Sequence, residues 1–177
     1  MNTVITEVIC RCDEDLLEQL VQLEKTAFPA RMVYTEGTQY YRKCLEDDSN
    51  INVVMRDKNG EVIGYVVAIP QSKVFEDLHR YDTEMKNDPE RLYVDTIQTM
   101  PGKRQAFGIL KLLYAMIEEA GRRGLNKFSM HARKYNGLSN IILKVFPTTV
   151  CLRTIKNWYD YGEPFDYIEG TYTGKRR

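Results

Sequence analysis

Apolar positions along the 177-residue chain switch repeatedly between a period of two and a period of three to four. That switching predicts alternating strands and helices. Val4–Cys10 alternates and suits a first strand. Asp13 can cap a helix running to Phe28, with Leu16, Leu20, Leu23 and Ala27 on one face and Pro29 as its stop. Thr35–Asp47 reads as a second helix with Tyr41, Cys44 and Leu45 inward. Ile51–Met55 and Val62–Ile69 flank Asp57-Lys58-Asn59-Gly60, and the Asn-Gly pair predicts an antiparallel hairpin. Leu92–Thr99 is the next strand. Gly108–Arg123 is the best helix, its stripe made by Ile109, Leu112, Leu113, Met116, Ile117 and Ala120, with Gly124 to end it. Lys127–Ala132 is another strand, Asn136 can cap a helix over Gly137–Phe146, and Pro147 closes it. Two last strands, Val150–Trp158 and Phe165–Tyr172, are joined across Asp160–Pro164.

Gln71–Glu90 stands outside this economy, because it separates two strands that a few residues would join. Val74, Leu78, Tyr81 and Met85 fall at i, i+4, i+7 and i+11, which predicts a helical insertion with one apolar face. The stripe can serve as packing for a surface decoration, as a lid over a substrate end, or as a contact with a second subunit in a homodimer.

Length fits a single domain over residues 1–177. Lys+Arg and Asp+Glu are equal at 25 each, so no basic field recruits nucleic acid or an anionic membrane. Lys175-Arg176-Arg177 is the one charge cluster and reads as a solvated tail. No apolar run reaches the roughly 20 residues of a membrane span, and the N-terminus does not read as a secretory signal. Cys10 and Cys12 form C-x-C while Cys44 and Cys151 stand apart; with His79 and His131 they complete no metal-ligand spacing. Reduced cysteines and a cytoplasmic location are the expectation, with no metal.

Candidate chemistry concentrates in Leu92–Leu113. An extended segment meets Pro101, passes a short loop with Lys103 and Arg104, and opens into the amphipathic helix around Gly108. First-turn N–H groups lack intrahelical partners and the helix dipole is positive there, so such a turn can bind a phosphate or pyrophosphate. Asp95 lies on the strand before it; Asp is disfavoured in strands, which asks for a reason. Glu36 is a second carboxylate that could line an acceptor pocket, against the plainer reading of a solvated helix-start residue. His131, beside Arg133 at a strand end, suggests a proton relay, against the plainer reading of a histidine satisfied by local hydrogen bonds. The acidic and aromatic loop Asp160–Pro164 suits a cation.

The order of elements, with LEKTAFP at Leu23–Pro29, the Asn-Gly hairpin leading to GEVIGYVVAIP, YVDTIQTMPGKR and HARKYNGLSNII, resembles the GNAT superfamily of N-acetyltransferases. The resemblance covers essentially the whole chain. It implies a single α/β (α+β) domain with a mixed, mostly antiparallel sheet flanked by helices. It implies acetyl-CoA as acyl donor, with pyrophosphate on the backbone N–H groups of a Q/R-x-x-G-x-G/A loop. It also implies that the strand before that loop splays from its neighbour and leaves main-chain groups for the pantetheine arm.

Carried over by position, the resemblance assigns the donor to main chain at Ile97 and Thr99, then to Lys103, Arg104, Gln105, Ala106, Phe107, Gly108 and Ile109, with Asn136 beyond. Counted from Pro101 without a gap, Arg104 takes the first place of the motif, and Phe107 and Ile109 fill its small-residue places. Started at Lys103, Ala106 and Gly108 fill them instead, which suits backbone approach to a phosphate and is preferred. Asp95 matches the family's acidic strand residue, as general base or as holder of the substrate ammonium. The family's leaving-group Tyr falls on Leu143, which cannot donate a proton. Tyr135, Tyr159 and Tyr161 stand in neighbouring loops as substitutes, and release of the thiolate to solvent is the other route. The expected function is N-acetyl transfer to a primary amine, cationic by the loop's composition, of a small molecule or a protein. The alternatives are a GNAT-like module that binds CoA or an amino-acid-like effector without competent transfer, and a transferase of another acyl group.

Overall fold

The computed structural model describes residues 4–102 and 105–172, with Gln105 and Ala106 described by their backbone alone. Strands and helices alternate as β1 (Ile5–Val8), α1 (Glu14–Ala27), α2 (Gly37–Glu46), β2 (Ile51–Arg56), β3 (Val62–Pro70), α3 (Gln71–His79) and β4 (Arg91–Thr99). They continue as α4 (Gln105–Arg122), β5 (Lys127–Arg133), α5 (Leu138–Val145), β6 (Val150–Ile155) and β7 (Phe165–Thr171). The strand order is β1-β2-β3-β4-β5-β7-β6 in one mixed seven-stranded sheet. Pairing is antiparallel for β1–β2, β2–β3, β5–β7 and β6–β7, and parallel for β4–β5. The mixed, mostly antiparallel α+β architecture is therefore as the sequence predicts. Within it the chain forms two compact units, Met1–Ala68 with Thr96–Glu119, and Ile69–Asp95 with Ala120–Arg177.

In the first unit, Asp13 caps α1 by accepting the Leu16 N–H at 2.8 Å, and Leu16, Leu17, Leu20 and Leu23 are buried. The hairpin turn closes through Asp57, whose Oδ1 accepts the N–H groups of Asn59 and Glu61, while Gly60 takes φ 87. A buried hydrogen-bonded row joins Tyr41 of α2 to Tyr65 of β3, and Tyr65 to Gln98 of β4. Glycines set the approach of α4. A Cβ on Gly108 would lie 2.8 Å from Thr99 Cγ2 and 2.9 Å from Met55 Cε, and one on Gly64 would meet the same two groups.

In the second unit, β7 is sandwiched between β5 and β6. Phe128 packs edge-on to Phe146, with ring centroids 6.2 Å apart, and a Cβ on Gly170 would strike Phe128. Gln71, fully buried at the start of α3, donates to Ser129 Oγ at 3.1 Å and to Tyr167 Oη at 3.3 Å, and accepts the Asp88 N–H at 2.8 Å. The inserted segment is thus bolted to the sheet at both its ends.

Several boundaries differ from the sequence expectation for local reasons. The helix expected across Gln71–Glu90 ends at His79, so only Val74 and Leu78 of the stripe are helical. Met85 is buried from a turn, and Tyr81 stays 36% exposed. Beyond the helix, Asn87-Asp88-Pro89 is turn-forming and Asp82 is drawn into a buried ion pair. The long helix begins at Gln105, three residues earlier than the stripe suggests, and Phe107 in that first turn is exposed, so it adds nothing to the apolar stripe. β6 stops at Ile155 and Trp158 enters a short 3-10 turn in which Tyr159 and Asp160 hold φ of 47 and 57. At α5, Gly137 in the left-handed region occupies the N-cap place, and Asn136 acts from one residue further out by accepting the Leu138 N–H at 3.0 Å.

Candidate active site

β4 and β5 part within the second unit. Their parallel pairing is Arg91↔Lys127, Leu92↔Phe128 and Tyr93↔Ser129. Within this unit the pairing ends at Tyr93, before Val94 and Asp95, although β5 continues to Arg133 with β7 on its other edge. Strand edges that stop pairing leave main-chain amides that an extended, amide-bearing ligand can satisfy. Tyr93 is the last paired residue of β4, and Asp95 follows two residues on, on the opened stretch.

Asp95 is half-buried, and its charge reaches two tyrosines. Burial chiefly holds the Tyr93 hydroxyl well above the ordinary tyrosine range, and the Asp95 carboxylate adds to it. Tyr159 is raised by burial first, then by its hydrogen bond to Asp77 and the charges of Asp77 and Asp95. Tyr159 stacks on Tyr81 at 4.2 Å, and Asp77 accepts its hydroxyl proton. Two consecutive non-glycine residues with positive φ, Tyr159 and Asp160, cost backbone strain, offset here by the Asn157 side chain. Asn157 Nδ2 donates to Asp160 Oδ1, and its Oδ1 accepts the Gly162 N–H, both at 2.8 Å.

Behind Tyr93 lies a buried polar row. Tyr93 Oη stands 3.0 Å from His131 Nδ1, and His131 Nε2 stands 3.1 Å from Asp82 Oδ2. Asp82 also receives two hydrogen bonds from Arg153, Nε to Oδ1 at 2.7 Å and Nη2 to Oδ2. Trp158 stacks on the imidazole at 3.5 Å with an interplanar angle of 15°, and the Arg153 guanidinium lies 4.4 Å over the Tyr167 ring. Burial pushes His131 down to about 4 against the opposing pull of Asp82, so the imidazole is neutral near pH 7. Burial would raise Asp82, but hydrogen bonds from His131 and Arg153 outweigh it and hold the carboxyl at about 2. A carboxylate only accepts, so Nε2 carries the ring proton; Nδ1 is then bare and accepts the Tyr93 hydroxyl. The row can take a proton from the Tyr93 end and hold it on an imidazolium facing a carboxylate.

The sequence-predicted donor residues fall elsewhere. Ile97 and Thr99 lie on the C-terminal half of β4, both buried, with Thr99 Cγ2 against the glycine faces already described. Lys103 and Arg104 lie outside the described residues. Gln105, Ala106, Phe107 and Gly108 form the first turn of the 18-residue α4, whose N–H groups are free of intrahelical partners. Phe107 is 57% exposed, with Lys111 Nζ 5.0 Å over its ring. Gly108 faces the sheet, so helix–strand approach demands the absence of its side chain; Ile109 is buried beside it. Asn136 is exposed in the loop before α5, Leu143 is half-buried on that helix, and Glu36 is exposed at the start of α2. Tyr135 is 73% exposed, whereas Tyr159 belongs to the Asp95 surroundings.

Local spacing does not announce Tyr93, Asp82, Arg153 or Trp158. The one available signal is that Tyr93 and Asp95 share a strand face by the period of two. The hydrogen-bond partners of His131 come from 38 and 49 residues away in the sequence. Among the described residues no cluster of His, Cys, Asp or Glu can hold a metal ion, and no helix is long and apolar enough to cross a membrane.

No protein-family model and no curated protein sequence matches this chain. Solved structures do. The chain is similar to an aminoglycoside 6'-acetyltransferase type Ii, with a TM-score of 0.74 and 14% identity over 97% of this chain and 99% of the other. It is similar to an aminoglycoside 6'-N-acetyltransferase complexed with coenzyme A, at 0.70 and 13% over 98% and 99%. NAA60 from Arabidopsis thaliana, in complex with acetyl-CoA, gives 0.67 and 19% over 96% and 98%. At these identities the likeness speaks for architecture, and it spans both chains nearly end to end. The fold of this chain is the GNAT fold, that of the GCN5-related N-acetyltransferases.

Proposed function

We propose that this protein is an acetyl-CoA-dependent N-acetyltransferase acting on a primary amine. The observation that carries the reading is the parting of β4 from β5 just where Asp95 and the Tyr93–His131–Asp82 row begin. An opening between the two strand edges fits the pantetheine arm, and an acid–base row at its edge fits proton removal from an attacking amine. The first turn of α4, with Lys103, Arg104 and the amides from Gln105 to Ile109, would hold the pyrophosphate; main chain at Ile97 and Thr99, with Asn136, completes the proposed donor contacts.

Acetyl-CoA supplies the acetyl group as an activated thioester. Asp95 receives the acceptor as an ammonium, and the amine must lose one proton before its lone pair can attack the carbonyl carbon. The C–N bond then forms, the C–S bond breaks and the electron pair leaves on the thiolate. Leu143 offers no proton to that thiolate, so it departs to solvent or is protonated from the tyrosine side of the site. Asp77, Asp95, Tyr81 and Tyr159 together favour a cationic acceptor. The structural neighbours that act on aminoglycosides and spermidine support that class.

Leu143 is also the observation that favours a second reading, a CoA-binding module without turnover. The two are separated by mixing the protein with acetyl-CoA and a panel of polyamines, aminoglycosides and peptide amines. Amine-dependent release of free CoA, with the acetylated amine found by mass, supports transfer. Tight CoA binding without release with any amine supports the module.

A further inference from the structure

Asp82 belongs to the long segment between β3 and β4, and its carboxylate is 1% exposed and ends against the one imidazole in the site. Two elements hold it from opposite sides, β5 through His131 and β6 through Arg153. The segment that brings it there is itself locked by the buried Gln71 at one end and by Asp88, paired with Arg91 and Lys127, at the other. Such anchoring on both sides of Asp82 fixes a carboxylate in place far more tightly than packing of an apolar stripe asks.

Resting on the acetyl-transfer reading, we infer that Asp82, clamped by Arg153, is a positioning residue that fixes His131 as its Nε2–H tautomer and keeps Nδ1 open to the Tyr93 proton. The inserted segment then works as part of the proton route rather than as a cover. When the acceptor nitrogen gives up its proton to Tyr93 Oη, the hydroxyl passes its own proton to His131 Nδ1. The resulting imidazolium faces the Asp82 carboxylate, and Tyr93 ends neutral, so no buried tyrosinate is left behind. Without a fixed acceptor at Nε2 the ring can carry its proton on Nδ1 instead, and Tyr93 then has nowhere to send one.

The groups that face this imidazole are Asp82 from the inserted segment, Arg153 from β6, Tyr93 from β4 and Tyr167 from β7, with Trp158 across the ring face. Glu84 acts on Arg153, Asp95 acts on Tyr93, and Glu169 accepts the Tyr167 hydroxyl. Among them Asp82 is the single carboxylate within hydrogen-bond distance of Nε2.

The chain has two histidines, so nitrogen NMR of histidine-labelled full-length protein, with His79→Gln for assignment, reads the His131 tautomer directly. Wild type is expected to show one neutral Nε2–H tautomer from about pH 5.5 to about pH 8. Asp82→Asn is expected to show the Nδ1–H form or a mixture, with kcat lower by about 100-fold, the low end of what positioned acid–base groups supply, and KM within about threefold. Its rate should recover in part at high pH, where the amine arrives deprotonated. Arg153→Lys, which keeps the charge and loses the fork, should fall between the two and serves if Asp82→Asn does not fold. An Nδ1–H tautomer in wild type overturns the inference, as does a folded variant with wild-type kcat and pH profile. A wild type that shows the expected tautomer but transfers no acetyl group to any amine overturns the acetyl-transfer reading instead.

Discussion

Asp95 is the residue on which the proposed chemistry turns, because it is the carboxylate on the opened stretch of β4 whose field reaches both Tyr93 and Tyr159. Asp95→Asn keeps shape and removes charge. If Asp95 holds the ammonium and the His131 row removes the proton, KM for the amine should rise while kcat changes less. If Asp95 is itself the base, kcat should fall steeply near neutral pH and recover at high pH. Steady-state kinetics across pH distinguish the two, and unchanged kinetics at every pH would discard both. On the donor side, Arg104→Ala should weaken CoA by about 1–3 kcal/mol, the scale of a lost charge-assisted hydrogen bond. Calorimetric titration with CoA reads that loss, and equal affinity would remove Arg104 from the site.

At the scale of elements, the seat of α4 depends on a missing side chain. Gly108→Ala would place a methyl 2.8 Å from Thr99 Cγ2, and a β-branched side chain on a strand has little freedom to yield. Overpacking of that kind costs about 1–3 kcal/mol, so the variant should melt several degrees lower, and an unchanged melting temperature would refute the close seat. The position also shows what a sequence can and cannot tell. A small residue at 108 is legible, but whether it spares room for a phosphate or for a strand is not, and here it faces the strand. The Asn-Gly hairpin, the Asp13 cap and the stripe of α4 were legible because each is set by residues within a few positions. The inserted segment was not. Its apolar spacing runs on to Met85, but the helix stops at His79, because a long-range ion pair at Asp82 outweighs a local period. The His131 row was hidden for the same reason, since no local spacing links residues 82, 93 and 131.

At the scale of the whole molecule, buried ionisable groups give stability a pH dependence with a readable sign. His131 lies near 4 in the fold against 6.5 for the free side chain, so the unfolded chain binds the extra proton between those values and stability falls as pH drops through that window. Asp82 is held near 2, so its contribution is complete above its ordinary value of 3.8 and is lost as pH falls toward 2. Glu24, fully buried, acts the other way. Burial raises it from 4.5 to about 6 against hydrogen bonds from the Tyr34 N–H and Tyr41, so the folded state binds the extra proton there. Its ionisation costs about 2 kcal/mol above that window, from the size of the shift. Glu24→Gln should therefore gain stability relative to wild type as pH rises from about 4.5 to about 7, read by denaturant unfolding at several pH values. A difference between the two proteins that does not change with pH would show that Glu24 is not shifted.

One measurement bears most directly on the function proposed for this GNAT fold: the rate of free CoA formation from acetyl-CoA, with and without a cationic amine, in wild type and in Asp95→Asn. Release that depends on the amine, saturates with it, yields the acetylated amine and is impaired in Asp95→Asn is the predicted result. Release at the same slow rate whether or not an amine is present, or no binding of acetyl-CoA at all, would contradict it.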